Sequence, residues 1–443
     1  MPGTSERDSA SQLKCPVNLE DVDLFSPGAQ EFWFDAYPIL HREAPVHRIP
    51  GEGTTPETDA FILSKYADIA RVVRDPARFP PPRYRLAQDL REPDKRPVVT
   101  PRMNAMGVSI MSLRPNMDLW KAHRQQLTDP WVGPTGAPRH TAMITKAADD
   151  LIANWIDRET VDFVDEFAAP LPQVVMTNVL GFPHEDMPKL REWGTAQVKR
   201  FVFGRGHRNL LTAAEEDEQM VVLGEFTDYV QEQVTRKRED PRDDMISWLT
   251  QVEYPALDRK LTDIEIIGIV YAMHLGGLET TQYAIAEGAQ ILARDPALWQ
   301  ELRADRSKVR FFVEEALRLR APTQGLSTRM TTRDEEFQGV KVPAGSVLHM
   351  RWGAANLDPG EYECPEEVRL DRPSVGRHLT FSQGPRSCPG AGISRLEQTI
   401  AWNRLLDNIE SFEFSPGKND FTHQPGIMLG IWELHLDFVK APA

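Results

Sequence analysis

The sequence contains few cysteines and no long apolar run near its start. Its three cysteines, Cys15, Cys364 and Cys388, are odd in number and widely separated, so they predict neither a disulfide framework nor an iron–sulfur centre. The first thirty residues are polar and are interrupted by Pro2 and Pro16, and they lack the roughly 20 consecutive apolar residues that a membrane-spanning helix requires. We therefore expect a cytoplasmic protein of a reducing compartment, without a membrane as partner.

Positive net charge and a dinucleotide-binding glycine pattern are also missing. Acidic residues outnumber basic ones, 66 against 51, which gives a formal net charge of -15 at pH 7 and argues against nucleic acid as a partner. No Gly-x-Gly-x-x-Gly occurs, and this is the pattern with which many α/β domains bind dinucleotides. Electrons from a nicotinamide nucleotide would therefore have to arrive through a separate protein.

Length and composition predict one large domain. The 443 residues are 41% hydrophobic, which is enough to bury an extended core, and no linker-like stretch divides residues 29–443. Residues 1–28 are predicted to be a flexible lead-in. Helical periodicity recurs from residues 30–42 to residues 393–406, whereas strand patterns are short and few. The predicted fold class is mainly α with a small β-rich side, that is, α+β.

One cysteine lies in a constrained loop near the C-terminal end. The residues from Phe381 to Gly390 read Phe-Ser-Gln-Gly-Pro-Arg-Ser-Cys-Pro-Gly, and backbone N–H groups of such a loop can converge on the sulfur of Cys388 and stabilise a thiolate. A thiolate is what an axial metal ligand needs. If the metal is haem iron, Gly384 permits a tight reversal and Arg386 offers a cation to a propionate. Phe381 can then shield the sulfur, and Gly390 lets the next helix start close to the ring. A buried cysteine without function is the alternative, and the four matching positions favour the ligand.

This decapeptide resembles the haem-binding signature of the cytochrome P-450 family, Phe-x-x-Gly-x-Arg-x-Cys-x-Gly, with every specified position present. The resemblance implies a cytochrome P-450 fold, a single large haem domain with haem b (iron protoporphyrin IX) as cofactor and residues 381–390 as the cysteine ligand loop. It makes Cys388 the metal ligand. A cysteine thiolate on haem iron favours cleavage of the O–O bond of dioxygen.

A second motif lies on a helix predicted over residues 262–294. Two adjacent glycines, Gly276 and Gly277, each cost about 1 kcal/mol relative to alanine inside a helix, which indicates a reason such as close approach to a flat ligand. With Glu279 and Thr280 they match the family's (Ala/Gly)-Gly-x-(Asp/Glu)-Thr oxygen-activation motif. Activation of dioxygen consumes protons, which a carboxylate beside a hydroxyl can relay from solvent. The resemblance therefore implies Glu279 and Thr280 as catalytic residues, and the hydroxyl of Thr280 can bond the carbonyl of Gly276.

Further residues are expected to bind the haem propionates. Trp120 and Arg124 share one helix face and can both donate to carboxylates; they resemble the Trp-x-x-x-Arg helix of many family members. The neighbouring His123 is out of register with the His-x-x-x-Arg of other members and receives no role. Residues 321–329 are predicted to be an extended strand, and Arg329 on it stands where the family places another propionate-binding arginine.

A Glu-x-x-Arg pair is predicted to be structural. Glu315 and Arg318 can pair across one helix turn, and by resemblance Arg372 would be their third partner in a buried network that locks the cysteine loop. For His274 two interpretations stand: a bond to a polar group of the substrate, or a bond to a neighbouring helix.

A long proline-rich segment, residues 80–116, is predicted to be a lid over the substrate. It carries seven Lys/Arg against three acids, so it either favours an anionic group or is a solvated surface loop. By resemblance, residues 323–327 and 426–432 edge the substrate pocket.

The resemblance implies a soluble, bacterial-type haem-thiolate monooxygenase, expected as a monomer. It would insert one oxygen atom of O2 into a small apolar organic substrate by hydroxylation or O-dealkylation, with a terpenoid or steroid favoured over an aromatic compound or a fatty acid. Electrons would come from NAD(P)H through a ferredoxin or flavodoxin-type donor. The alternatives are a peroxygenase that uses hydrogen peroxide and a non-catalytic haem sensor or ligand carrier.

Overall fold

The computed structural model describes residues 13–55, 57–81, 121–199, 211–254, 258–325 and 328–442. Helices form most of this part of the chain, in agreement with the predicted mainly α class. The α-helices are α1 Trp33–Glu43, α2 Tyr66–Arg74, α3 Asp129–Val132, α4 Thr141–Ala153, α5 Pro170–Leu180, α6 Met187–Val198, α7 Ala213–Glu239, α8 Met245–Gln251, α9 Asp263–Gly277, α10 Glu279–Arg294, α11 Pro296–Ala304, α12 Val309–Leu319, α13 Trp352–Asn356 and α14 Ala391–Asn408. Most of the predicted lid, residues 80–116, lies outside the described residues.

The β-rich side is small, as predicted. Its strands are β1 Val46–Ile49, β2 Ala60–Leu63, β3 Thr160–Asp162, β4 Glu253–Tyr254, β5 Arg259–Lys260, β6 Thr328–Met330, β7 Glu335–Phe337, β8 Val340–Val342, β9 Val347–Met350, β10 Ile409–Phe414 and β11 His435–Lys440. The largest sheet has the order β1-β2-β9-β6, in which β2 and β9 run parallel and the other pairs antiparallel. A three-stranded sheet has the order β10-β11-β3.

Long helices cross a shared apolar core. The side chains of Trp155, Phe167, Phe226 and Trp402 are among the largest that are fully buried, and burial of such aromatic surface is the main favourable term in folding. Helix α14, which follows the cysteine loop, packs against α4, α10 and α12. The loop is thus connected to the centre of the molecule. In the described part of the chain, no helix has both the length and the apolar character needed to cross a membrane.

Three local predictions differ from the structure. The helix expected over residues 262–294 is broken at Leu278, whose φ and ψ are -88° and -84°, because two glycines precede this position and weaken the helix there. The extended strand expected over residues 321–329 is reduced to β6 and an isolated bridge between Thr323 and Met428. The described part of the expected lead-in contains a 3-10 helix, Leu19–Asp21, and a buried Leu24 that packs beside Trp33.

The predicted buried network exists. Arg318 and Arg372 bind the carboxylate of Glu315 at 2.7 and 3.0 Å, and the side chains of Glu315 and Arg318 are both 0% exposed. Arg318 also donates to the carbonyl of Asn356 at 3.0 Å, whose side-chain oxygen accepts the N–H of Leu379 at 2.7 Å. The network therefore holds the chain just before the cysteine loop.

Candidate active site

The cysteine loop is closed by its own backbone. The N–H of Cys388 donates to the carbonyl of Phe381 at 2.8 Å, and the sulfur lies beside the backbone N–H groups of Gly390 and Ala391. Burial raises the pKa of the Cys388 thiol, and these N–H groups oppose the shift together with nearby arginines. Metal binding would deprotonate the thiol, and the N–H groups and arginines would then stabilise the thiolate.

The turn of the loop requires a glycine. Gly384 has a φ of +73°, and a Cβ at this position would lie 2.8 Å from the carbonyl oxygen of Val73. Backbone with positive φ is strained for other residues, and the carbonyl cannot move aside cheaply. Arg386 ends the 3-10 turn that begins at Gly384, so both residues have the loop positions that the sequence predicts.

A cluster of charged and aromatic side chains around Glu314 of α12 holds the cysteine loop in place. Arg395 of α14 binds the Glu314 carboxylate at 2.6 Å, and Nε2 of His378 lies 3.0 Å from it. The guanidinium of Arg395 also lies 4.5 Å from the centre of the Phe381 ring. Burial acts to raise the pKa of Glu314, but His378 and Arg395 lower it to about 2. The ionised Glu314 carboxylate therefore joins α14 to the residues just before the loop, and Arg395 in turn contacts the Phe381 ring.

Arg124 lies beside the loop. It begins a π-helix, Arg124–Thr128, and its guanidinium donates to the carbonyl of Ser387 at 2.5 Å, with Asp129 at 3.5 Å. Its Nε is buried and has no hydrogen-bond acceptor among the described residues. A buried cationic donor of this kind suits a propionate. Its predicted companion Trp120 lies outside the described residues.

Arg329 lies on another element, whereas His123 directly precedes Arg124. Arg329 is buried on β6, and its guanidinium donates to the carbonyl of Thr328 at 2.7 Å. His123 is buried directly before the π-helix.

The two glycines of the second motif have different surroundings. A Cβ at Gly276 would meet no described atom within 4 Å, whereas a Cβ at Gly277 would lie 2.6 Å from the sulfur of Met176 on α5. Gly276 therefore faces space that no described residue fills, which we call the groove, whereas Gly277 packs against α5. The hydroxyl of Thr280 donates to the carbonyl of Gly276 at 2.7 Å, as the spacing predicts.

The glycine–threonine segment and the helix after the cysteine meet directly. Oγ1 of Thr281 lies 3.2 Å from Oγ of Ser394 on α14. This contact joins the start of α10 to the first turns of α14, so the helix break with Thr280 and the loop with Cys388 belong to one site.

Glu279 has a partner that the sequence analysis missed. The hydroxyl of Tyr283, one turn further along α10, donates to its carboxylate. Removal of the carboxyl from bulk water raises the pKa of Glu279 to about 7, although the Tyr283 bond acts to lower it. The i, i+4 spacing of the two residues was the available signal.

His274 belongs to the helix packing. Its Nδ1 lies 2.9 Å from the side-chain oxygen of Gln197 on α6, and its ring stacks on Phe226 with centroids 4.8 Å apart. Burial lowers the pKa of His274 to about 3, so the ring is neutral at physiological pH. Of the two interpretations, the structure supports the bond to a neighbouring helix.

These residues fit a haem. Cys388 would supply the iron ligand from its thiol cradle, the loop backbone with the N–H groups of Gly390 and Ala391. The buried Nε of Arg124 would bind a propionate. The space at Gly276 would admit a flat ring. The described residues thus supply donors of the kind that haem requires.

Comparisons with known proteins agree with a haem-binding fold. A model of the family described as Cytochrome P450 matches residues 87–436. The "Polyketide biosynthesis cytochrome P450 PksS" of Bacillus subtilis is 25% identical over 420 residues, which are 92% of this chain and 96% of that protein. The "Vitamin D(3) 25-hydroxylase" of Pseudonocardia autotrophica is 27% identical, over 93% of this chain and 95% of that protein. The crystal structure of P450BioI in complex with hexadec-9Z-enoic acid ligated acyl carrier protein has a TM-score of 0.78 at 23% identity, over 93% of this chain and 99% of that chain.

Proposed function

Because this chain belongs to the cytochrome P450 family of haem monooxygenases, we propose that it hydroxylates or O-dealkylates a small apolar organic substrate, with Cys388 as the iron ligand. The observation that carries the proposal is the thiol cradle of Cys388, which the Thr281–Ser394 contact joins to the helix break at Thr280.

Each residue of the site has a part in the proposal. Haem, when bound, supplies the iron that binds and activates dioxygen with electrons from outside. The loop around Cys388 would hold the sulfur that binds the iron, and Phe381 would shield it from water. Gly384 shapes the loop, and Gly390 lets α14 begin close to the ring.

Cations and glycines orient the haem in this proposal. Arg124 and Arg386 would bind propionates, with Arg329 and Trp120 as further donors. Gly276 leaves the groove open for the ring and the substrate.

Two side chains would move protons. The Thr280 hydroxyl, now bonded to the Gly276 carbonyl, can turn toward the groove and donate there. The Glu279 carboxyl can return the proton, since a group with a pKa near 7 is suited to both donate and accept at neutral pH.

We favour a terpenoid or steroid-like substrate over an aromatic compound or a fatty acid. The vitamin D(3) 25-hydroxylase supports an apolar, steroid-like molecule, while the fatty acyl group in the P450BioI complex keeps the acyl class in the panel. We propose NAD(P)H as the electron source, through a separate ferredoxin or flavodoxin-type protein.

The test is a titration of the purified ferric protein with terpenes, steroids, fatty acids and alkylbenzoates, read from the Soret band. We expect a saturable shift to shorter wavelength with one class, and product when donor proteins and NADPH are added. Product with hydrogen peroxide alone would favour the peroxygenase, and binding without product the sensor.

The ligand assignment has a matched control. The Cys388→Ser variant should lose the thiolate character of the Soret band, whereas Cys364→Ser changes an exposed cysteine and should keep it. A thiolate spectrum in the Cys388→Ser variant would overturn the assignment.

A further inference from the structure

Tyr283 is a buried polar side chain next to Glu279 that the proposed mechanism does not use. It lies on α10 one turn after Glu279, and its hydroxyl donates to the Glu279 carboxylate. The side chain is 1% exposed. A buried phenol needs partners for its hydroxyl, and here they are the acid of the oxygen-activation motif and the side chain of Gln424.

The ring of Tyr283 is held in place by a second segment, residues 424–430. A Cβ at Gly430 would lie 2.4 Å from a ring carbon, so backbone approaches the ring as closely as a glycine allows. Ile427 and Met428 pack beside it. The segment is itself fixed, because the N–H of Gln424 donates to the carbonyl of Gly430 at 2.9 Å. The phenol can therefore hold its hydroxyl at one position.

Glu279 has little other support. Among the described residues no Lys, Arg or His lies within 4 Å of its carboxylate, and the charged group that acts on it from another element is Arg191 of α6, through space. Glu287, two turns further along α10, differs: Arg320 binds it at 3.0 Å and His423 at 3.2 Å. The charge of Glu279 thus depends chiefly on a neutral hydrogen-bond donor.

We propose that Tyr283 is a positioning residue of proton delivery, which holds the Glu279 carboxyl along α10 and stabilises its charged form. The inference rests on the proposed monooxygenase function. Glu279 in its acid form gives a proton toward Thr280, and the O–H of Tyr283 stabilises the carboxylate that remains. A proton from solvent then restores the acid, so the cycle carries protons without net change in either residue.

Tyr283 does not itself ionise in this cycle. Burial and the adjacent carboxylate raise the pKa of Tyr283 well above its ordinary value, so the phenol stays a donor. The bond acts to lower the pKa of Glu279, against the larger effect of burial, which leaves it at about 7. Loss of the bond would leave an acid that gives up its proton less readily.

The first measurement is an infrared pH titration of the ferric holoprotein. Glu279→Gln identifies the carboxylic C=O band of Glu279, and Tyr283→Phe removes only the hydroxyl. We expect the midpoint of this band to rise by roughly one unit or more in Tyr283→Phe, because bonds to charged groups are stronger than neutral ones. Tyr254→Phe, which changes a buried tyrosine on β4, serves as the matched control and should leave the midpoint unchanged.

The second measurement is the fraction of electrons recovered in product across pH. Tyr283→Phe should move this profile in the same direction as the band, and in the Glu279→Gln background it should cause no additional loss, since residues that act through one group are not additive. An unchanged midpoint, or a loss that adds fully to that of Glu279→Gln, would refute the inference. The infrared titration needs no turnover. If the protein makes no product, the proposed function is contradicted, and the titration still tests the role of Tyr283.

Discussion

Two glutamates near the cysteine loop differ in their partners. Glu315 is fully buried between Arg318 and Arg372, and its second oxygen accepts the N–H of Arg369 at 2.9 Å. Glu279 accepts a bond from Tyr283 and lies next to the open face of the helix break. Both carboxyl groups are removed from bulk water, yet among the described residues only Glu315 forms ion pairs. The partners, more than the burial, separate a structural acid from one suited to carry protons.

The largest effect is expected from a substitution in the buried network of Glu315, Arg318 and Arg372. Glu315→Gln leaves Arg318 and Arg372 buried without a counter-charge, so the free energy of unfolding should fall by about 3–5 kcal/mol. Urea unfolding of the holoprotein measures this. Glu301→Gln, which removes an exposed pair with Lys308, is the control and should change little. A Glu315→Gln variant as stable as the parent would show that the network does not hold the fold.

The pH dependence of stability should also separate the two kinds of acid. The pKa of Glu314 lies at about 2, below its ordinary 4.5, so its stabilisation is present above pH 4.5 and is lost as the pH falls through 2. We expect this loss to reach about 3 kcal/mol at most, and Glu314→Gln should lack it. The pKa of Glu279 is raised to about 7. Its contribution to stability therefore has the opposite pH dependence and is lost as the pH rises from 4.5 to 7. Equal slopes in the parent and in Glu314→Gln would contradict the first part.

A change in the open region should affect electron use and leave the fold intact. Thr280→Ala removes the hydroxyl that donates to Gly276, and we expect it to bind haem normally and to divert electrons to hydrogen peroxide, with product per NADPH reduced roughly tenfold or more. Thr280→Ser keeps a hydroxyl and should retain most of the coupling. Product and peroxide are measured together, and unchanged coupling in Thr280→Ala would exclude this role.

The smallest effect concerns the two glycines. Gly276→Ala places a methyl group in open space and removes a helix-weakening glycine, so it should stabilise the protein by about 0.5–1 kcal/mol and weaken ligand binding in the groove. Gly277→Ala meets Met176 instead, which should offset the gain. Thermal unfolding and Soret titration of both variants test the difference. Identical behaviour of the two variants would mean that they share one environment.

Residue spacing predicted much of the candidate site. The Thr280–Gly276 bond and the Glu315–Arg318 pair each join residues three or four positions apart, and such pairs share a helix face whenever the helix forms. The Glu279–Tyr283 bond has this spacing as well, but nothing local shows that the phenol would turn toward the acid.

The sequence by itself determined the family, through the cysteine loop and the Gly-Gly-Leu-Glu-Thr segment, and with it the fold and the cofactor. Only the tertiary structure decided which glycine faces the groove, that Ser394 meets Thr281, and that the Tyr283 ring is held by Gly430. The physical reason is the separation along the chain of the residues in contact. Helix geometry fixes contacts within one turn of the chain, whereas contacts between segments more than a hundred residues apart depend on how the whole core packs.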